Sequence, residues 1–257
     1  MSQKRRTVAD EAFWVVRTSA ADLKAATTLA SHAHDWHQLI YVSAGLMSVA
    51  TEAGSWVAPA TWAIWVPAGI SHGIRFVVDS AFRSAYFRPD WTDTYPTGCT
   101  VVCVSALLRE LILRTLKIGK LDRRHPLEAA IATLMVSEFQ TSGARSLSLK
   151  QPTGEAMGRA ATLIASRDPR AATLASLARA VGAGTRTFER QFAAETGMTP
   201  GRWRQHQVML TGLESLAGGM AINSVAAQCG YSTASAFIAA FRKIFGTTPG
   251  SYFSPAG

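Results

Sequence analysis

The stretch Ile222-Asn-Ser-Val-Ala-Ala-Gln-Cys-Gly-Tyr-Ser-Thr-Ala-Ser-Ala-Phe-Ile-Ala-Ala-Phe-Arg-Lys-Ile-Phe-Gly-Thr-Thr-Pro249 reads as a short helix, a tight turn and a second helix. Val225 and Ala226 are small apolar residues on the first helix. Gly230 can take the positive φ that the turn needs, and Ser232 is the expected N-cap of the second helix. Phe237, Phe241 and Phe245 recur every four residues, so they share one helical face. Gly246 ends that helix and Pro249 forbids its return. Helix, glycine turn and helix is the sequence form of a helix-turn-helix, whose second helix enters the DNA major groove.

Upstream the same unit occurs again. Leu174, Leu177, Ala178 and Gly182 match Ile222, Val225, Ala226 and Gly230 at one constant offset. Phe188, Phe192, Gly197 and Pro200 match Phe237, Phe241, Gly246 and Pro249 at an offset one residue longer, so the second turn is predicted to hold one extra residue. Between the copies, Pro200 to Ala217 reads as one connecting helix, with Trp203, His206, Leu210, Leu213 and Ala217 on one face and Gly218-Gly219 ending it. Two units so joined can present recognition helices to successive major-groove segments, about 34 Å apart.

This arrangement resembles the DNA-binding domain of the AraC/XylS family of transcription regulators over about residues 155–253. The two units, the linking helix, the run Ala236-Phe-Ile-Ala-Ala-Phe-Arg-Lys-Ile-Phe-Gly246 and the terminal Thr-Pro all agree. The linking helix departs from the family pattern: Val208-Met209 and Gly212 stand where an Arg-Leu pair and a small Ala are usual. A glycine inside a helix costs roughly 1 kcal/mol against alanine. With Phe188 and Phe192 in the core, Arg186, Thr187, Glu189 and Arg190 face outward as base-contacting candidates. Arg can bind guanine in a bidentate manner and Glu can accept from cytosine; Glu189 can alternatively orient Arg190. In the second unit Ala234, Ser235, Ile238 and Ala239 occupy the corresponding positions, and only Ser235 is a hydrogen-bonding residue. Arg202, Arg204, Thr233, Arg242 and Lys243 read as phosphate contacts. The first unit is therefore expected to carry most base reading, and the second to position the domain.

The rest of the chain has a different texture. Its 257 residues favour two domains, and 48% hydrophobic content argues against wholesale disorder. Lys plus Arg number 26 against 17 Asp plus Glu, a net +9 that favours polyanionic partners. No apolar run is long enough to span a membrane. Lys4, Arg5 and Arg6 near the start are not followed by an apolar stretch, so no secretion signal is read. Cys99, Cys103 and Cys229, odd in number and without zinc spacing, suggest packed thiols in a reducing compartment, hence a cytoplasmic protein.

Residues 32–90 are rich in Val, Ile, Trp and Tyr and broken by Gly and Pro, the pattern of an all-β sandwich or barrel. Candidate strands begin at Phe13, Gln38, Leu46, Gly54, Thr61, Ser84 and Thr100. From Ser105 the period becomes helical: Leu107, Leu108, Leu111, Ile112 and Leu116 fit one face, and Leu127, Ile131, Leu134 and Met135 fit a second. These helices either cap the β domain or pair with a second copy as a homodimer through residues 105–140. Thr141 to Gly154 reads as a linker. The expected domains are 1–104, 105–154 and 155–257, an α+β chain with a β-rich N-terminal half and an all-α C-terminal half.

One constellation stands out in the β half: His32-Ala-His34-Asp-Trp-His37-Gln38, then Gly45, then Pro67-Ala-Gly69-Ile-Ser-His72. On a strand, His32, His34 and Gln38 share a face and His37 points away; a returning strand can bring His72 alongside. Three imidazoles and an amide oxygen can hold a divalent metal ion (zinc, nickel or another). The histidines can equally line a ligand pocket or hydrogen-bond within it. The spacing is similar to the two cupin motifs, with Gln38 in place of the usual acid, and cupin-like β-barrels are frequent sensor domains in the AraC/XylS family. The resemblance implies a metal set of His32, His34, Gln38 and His72, with Asp35 as a supporting carboxylate. Trp36, Tyr41, Trp56, Trp62, Trp65 and Phe76 are read as mostly core, a few lining an effector pocket.

The leading expectation is a sequence-specific regulator of transcription, binding double-stranded DNA and responding to a small-molecule or metal effector in the cupin-like domain, without enzymatic activity. The competing readings are a metal-dependent cupin enzyme fused to a DNA-binding domain, and an architectural DNA binder acting through charge alone.

Overall fold

A computed structural model describes residues 12–52, 54–141, 148–166 and 173–253. The basic triplet Lys4 to Arg6 lies outside the described residues, as does most of the first half of the expected linker. The chain divides into two compact units: Met1–Thr51, Trp56–Leu147 and Gly250–Gly257 in the first, Glu52–Ser55 and Ser148–Pro249 in the second.

In the first unit the chain runs β1 (Trp14–Leu23), β2 (Thr28–His32), β3 (His37–Ala44), β4 (Leu46–Thr51), β5 (Gly54–Pro59), β6 (Trp62–Val66), β7 (His72–Phe76), β8 (Ser80–Phe87) and β9 (Thr100–Cys103), then α1 (Ala106–Ile118), β10 (Lys120–Asp122) and α2 (Pro126–Thr141). One sheet has the order β10-β1-β8-β3-β6-β9, and a second runs β5-β4-β7-β2. Period-two alternation sorts the side chains of the first sheet. Leu39, Tyr41, Ala63, Trp65, Ala85 and Phe87 form one buried cluster with Leu108 and Ile112 of α1 and Ile131, Met135 and Phe139 of α2. The residues between them, such as Ile40, Ile64 and Phe82, turn to the other face, where Phe82 meets Phe76 of the second sheet at 5.6 Å between ring centroids.

The two helices therefore cap the six-stranded sheet. Ser105 fixes the start of α1: its Oγ accepts from the Leu108 N–H and its hydroxyl donates to Glu138 of α2. Their faces differ in part from the expected ones. Leu107, Leu127 and Leu134, which the periodicity places on the two apolar faces, are 49%, 68% and 47% exposed, while Ala132, Val136 and Phe139 are buried. Helix α2 is apolar over most of its circumference, so its periodicity does not choose a face; contact with the sheet does. A further difference is β10, a three-residue edge strand inside the segment expected to be helical. Gly119, at φ +89°, turns the chain out of α1 and lets Lys120 and Leu121 pair with β1.

In the second unit, β11 (Ser148–Lys150) and α3 (Glu155–Ala165) precede two matched pairs of helices. These are α4 (Leu174–Ala180) with α5 (Thr185–Thr196), and α7 (Ile222–Gln228) with α8 (Ala234–Phe245); α6 (Pro200–Ala217) joins them. Each pair is a helix-turn-helix. Four residues separate α4 from α5 and five separate α7 from α8, the extra residue that the offset predicts. Gly197 and Gly246 end the recognition helices in the left-handed conformation at φ +74° and +76°. Phe188, Phe192, Phe237, Phe241 and Trp203 are fully buried, and the Trp203 indole donates to the Lys150 carbonyl at 2.9 Å. The N-cap of α8 is Thr233 rather than Ser232: its side chain accepts from the Ala236 N–H.

The glycine that breaks the family pattern in α6 now has a reason. A Cβ on Gly212 would lie 2.9 Å from the Cys229 Sγ and 3.1 Å from the Phe237 ring. Gly212→Ala is expected to cost about 1–2 kcal/mol through overpacking, despite the better helix propensity of alanine. In a Cys229→Ala background the same change is expected to cost less or to stabilise. A double-mutant cycle by urea unfolding checks this; additive effects would refute the steric account.

Candidate DNA interface and histidine cluster

Helix α5 presents a chemically rich outer face. Phe188 and Phe192 anchor it inward, so the residues opposite them at helical spacing point to solvent. Arg186, Thr187, Glu189 and Arg190 are all exposed, and among the described residues none of these four is held in an ion pair. Glu189 therefore does not hold Arg190, and both side chains are available. Gln191, also exposed, is a further hydrogen-bonding residue on this helix that periodicity alone does not single out.

Helix α8 repeats the scaffold with poorer chemistry. Ser235 and Ala239 are exposed, while Ala234 and Ile238 are half-buried and turned to the side. Arg242 and Lys243 are exposed in its last turn. Arg202 is exposed near the start of α6 and Arg204 is half-buried one turn-half further on. Thr233 is exposed; its oxygen caps α8 while its hydroxyl proton stays free to donate. Residues 148–257 contain 11 Lys plus Arg against 5 Asp plus Glu, so most of the net charge belongs to this half.

In the β domain the structure brings His32, His34, His72 and Gln38 together. His32 ends β2 and lies opposite His72, the first residue of β7. His34 is not on a strand, contrary to the parity argument: it follows β2 in the turn toward β3, where its Nδ1 meets the Trp36 carbonyl at 2.5 Å. Ring centroids are 4.6 Å apart for His32–His72 and 5.1 Å for His34–His72. His37 points away as expected; its Nδ1 accepts from the Ala68 N–H and its ring stacks on Trp65.

The hydrogen bonds fix the tautomers. Nδ1 of His32 lies 2.9 Å from the Ala30 carbonyl, and Nδ1 of His72 lies 2.9 Å from the Ile70 carbonyl. A carbonyl only accepts, so each Nδ1 carries a proton and Nε2 is the ring nitrogen left for a further partner. Burial lowers the His34 pKa and pushes that of His72 down to about 4, so both are neutral at pH 7. Gln38 Oε1 lies 2.8 Å from His34 Nε2 and 2.9 Å from His72 Nε2. Its amide nitrogen is turned away, donating to Ser84 Oγ and the Tyr86 hydroxyl. Two imidazole lone pairs and an amide oxygen thus converge with no proton between them. Such a set of acceptors would suit a cation at its centre. Neighbouring donors on an octahedral ion with bonds of about 2.1 Å are roughly 3 Å apart, close to these separations. The donor set fits a divalent cation, and each imidazole has the carbonyl partner that a metal-bound histidine uses for orientation. Asp35 is not one of those partners. Ser84 and Tyr86, which orient Gln38 from β8, were not anticipated; they sit far away in sequence and only strand register places them.

The aromatic residues expected in the core are there: Trp36, Tyr41, Trp65 and Phe76 are fully buried, and Trp56 and Trp62 nearly so. None of them lines the groove of 680 Å³ between β1, β8 and α1, which is bounded by Ala20, Ala21, Arg83, Leu113, Arg114 and Lys117 among others. Among the described residues no helix is long and apolar enough to cross a membrane.

Comparison with known proteins matches both halves. Residues 14–135 match the AraC-like ligand binding domain, and residues 177–254 match a helix-turn-helix domain that spans both units. The HTH-type transcriptional regulator NimR of Escherichia coli is 26% identical over 223 residues, 87% of this chain and 81% of that protein. RipA, an HTH-type regulator of Corynebacterium diphtheriae, is 37% identical over 71 residues, 28% of this chain and 21% of its own. Among solved structures, ToxT of Vibrio cholerae aligns with 93% of this chain and 97% of its own at 12% identity, with a TM-score of 0.38. Matched in its β domain by a ligand-binding model and in its helical half by a helix-turn-helix model, the chain belongs to the AraC/XylS family of DNA-binding transcription regulators.

Proposed function

We propose that this regulator recognises a specific DNA sequence chiefly through α5, with α8 and the basic residues around it holding the domain in register, and that it answers to an effector bound in a cupin-like β domain. The observation that carries the reading is the unengaged set Arg186, Thr187, Glu189 and Arg190 on one exposed helix face, set against the Ser235 and Ala239 face of α8. Arginine and glutamate discriminate between base edges, whereas alanine offers a thymine methyl only a weak contact. Arg202, Arg204, Thr233, Arg242 and Lys243 contact phosphates in this reading. Selection of a binding site from random DNA, followed by footprinting on the DNA flanking the protein's own gene, tests it. Uniform affinity across sequences with only a salt dependence would overturn it.

The effector site includes a divalent cation, zinc, nickel or another, held by His32, His34, His72 and Gln38. The converging Nε2 atoms and the Gln38 oxygen support this reading. Zinc or nickel chloride at a hundredfold its Kd is expected to stabilise the wild type by about 2.7 kcal/mol, and His72→Ala is expected to abolish the effect. Thermal denaturation reads this, and a wild type indifferent to both metals counts against the site. Leu107, Leu127 and Leu134, exposed on α1 and α2, support pairing with a second copy. Sedimentation of Leu127→Glu, expected to shift a wild-type dimer to monomer, checks the pairing.

A further inference from the structure

We infer that the histidine site takes up its cation together with a small carboxylate, which is the effector the β domain senses. This rests on the cation reading above and goes beyond it by naming the ligand class. The argument is charge arithmetic. Three imidazoles held through Nδ1 by backbone carbonyls and one primary amide bring no negative charge to the site. Among the described residues the cluster contains no carboxylate. A divalent ion bound there keeps its full charge, while His72 and Gln38 are 0% and 1% exposed. An uncompensated charge in so dry a setting is strongly disfavoured, and nearby opposite charge is what relieves it.

Gln38 stands where the cupin pattern carries its acid, so the missing negative charge has to arrive with a ligand. His32 and His34 are only half-buried, which leaves one side of the cluster open to solvent. An oxygen anion approaching from that side completes both the coordination and the charge. By linkage, cation and carboxylate then tighten each other's binding by the same factor. Neither alone fills the site well, so occupancy reports the anion when the metal is constant.

The test is calorimetric titration of zinc into the full chain, in saturating sodium acetate and separately in saturating acetamide, the neutral counterpart. Zinc is expected to bind about tenfold or more tightly in acetate, and acetate to bind measurably only to the zinc-loaded protein. Gln38→Glu restores the acid beside the Tyr86 and Ser84 hydroxyls, the latter donating to it in place of its 3.3 Å bond to the Leu39 carbonyl. That variant is expected to bind zinc tightly in acetamide and to lose the dependence on acetate. Equal zinc affinity in the two solutions for the wild type overturns the inference and leaves the cation reading standing. So does stoichiometric proton release on zinc binding, since a water-derived hydroxide would then supply the charge. Absence of zinc binding in both solutions sinks the cation reading itself. The wild-type comparison decides the matter even if the variant does not fold.

Discussion

Replacing Arg186 and Arg190 together by alanine is expected to remove about 2–6 kcal/mol of the preference for the selected site over scrambled DNA, since each bidentate arginine–guanine contact discriminates by roughly 1–3 kcal/mol. The change leaves the fold alone: both side chains are exposed and unengaged, and α5 is anchored by Phe188 and Phe192. Two comparisons separate base reading from charge. Arg242→Ala also removes one cation, but from the last turn of α8, where the expected contact is phosphate. It should weaken all sequences about equally and reduce the salt slope by about one. Ser235→Ala should change selectivity by less than about 1 kcal/mol. Competition titrations at fixed salt, on selected and scrambled duplexes, measure all three. Intact selectivity in the double arginine variant would refute the assignment of base reading to α5.

How much of this was legible in the sequence follows from the range of the interactions involved. The helix-turn-helix pairs are local. Phenylalanines four apart, a glycine at positive φ and a proline stop are decided within one turn of chain, so both units and the limits of α6 could be read directly. The N-cap of α8 shows the limit of that reading. Ser232 and Thr233 are adjacent hydroxyls of equal chemistry, and only the extended backbone at Thr233, φ −143°, selects it. In the β half the decisive contacts are remote. His72 reaches Gln38 across 34 positions and Ser84 reaches it across 46. The motif gave the identity of the histidines, but strand parity misplaced His34, whose position comes from a turn. Leu127 and Leu134 share a helical face with Ile131 and Met135 by spacing, yet they lie exposed while Phe139 is buried. Helix α2 offers several apolar faces, and Trp65 and Phe87, which receive Phe139, choose among them.

The largest stability effect is expected at Gly45, where sequence motif and geometry meet. Strand β3 pairs with β6 and β8 in the first sheet, and β4 pairs with β7 in the second. Gly45 is the single residue between them, at φ +98°, and it passes the chain from one sheet to the other. A Cβ there would lie 2.2 Å from Ser80 Oγ, 2.7 Å from the Asp79 carbonyl oxygen and 2.7 Å from the Ser80 Cα. The hydroxyl can rotate away, at the loss of its bond to the Val78 carbonyl, but the two backbone atoms cannot move without shifting β8. Gly45→Ala thus combines left-handed strain of about 1–2 kcal/mol with overpacking of about 1–3 kcal/mol, a loss of roughly 2–5 kcal/mol. Gly69→Ala isolates the first part, because Gly69 has φ +80° and nothing within 4 Å of the added carbon. Urea unfolding of the two variants should differ by the overpacking contribution; equal losses would mean that the close approach to Ser80 is relieved at no cost. The corner also bears on the site. Gln38 lies on β3, His72 on β7 beside β4, and Ser84 on β8. A shift of β8 away from residue 45 moves the hydroxyl that orients the Gln38 amide. Gly45→Ala is therefore expected to weaken zinc binding as well, and Gly69→Ala, although nearer in sequence to His72, to weaken it less.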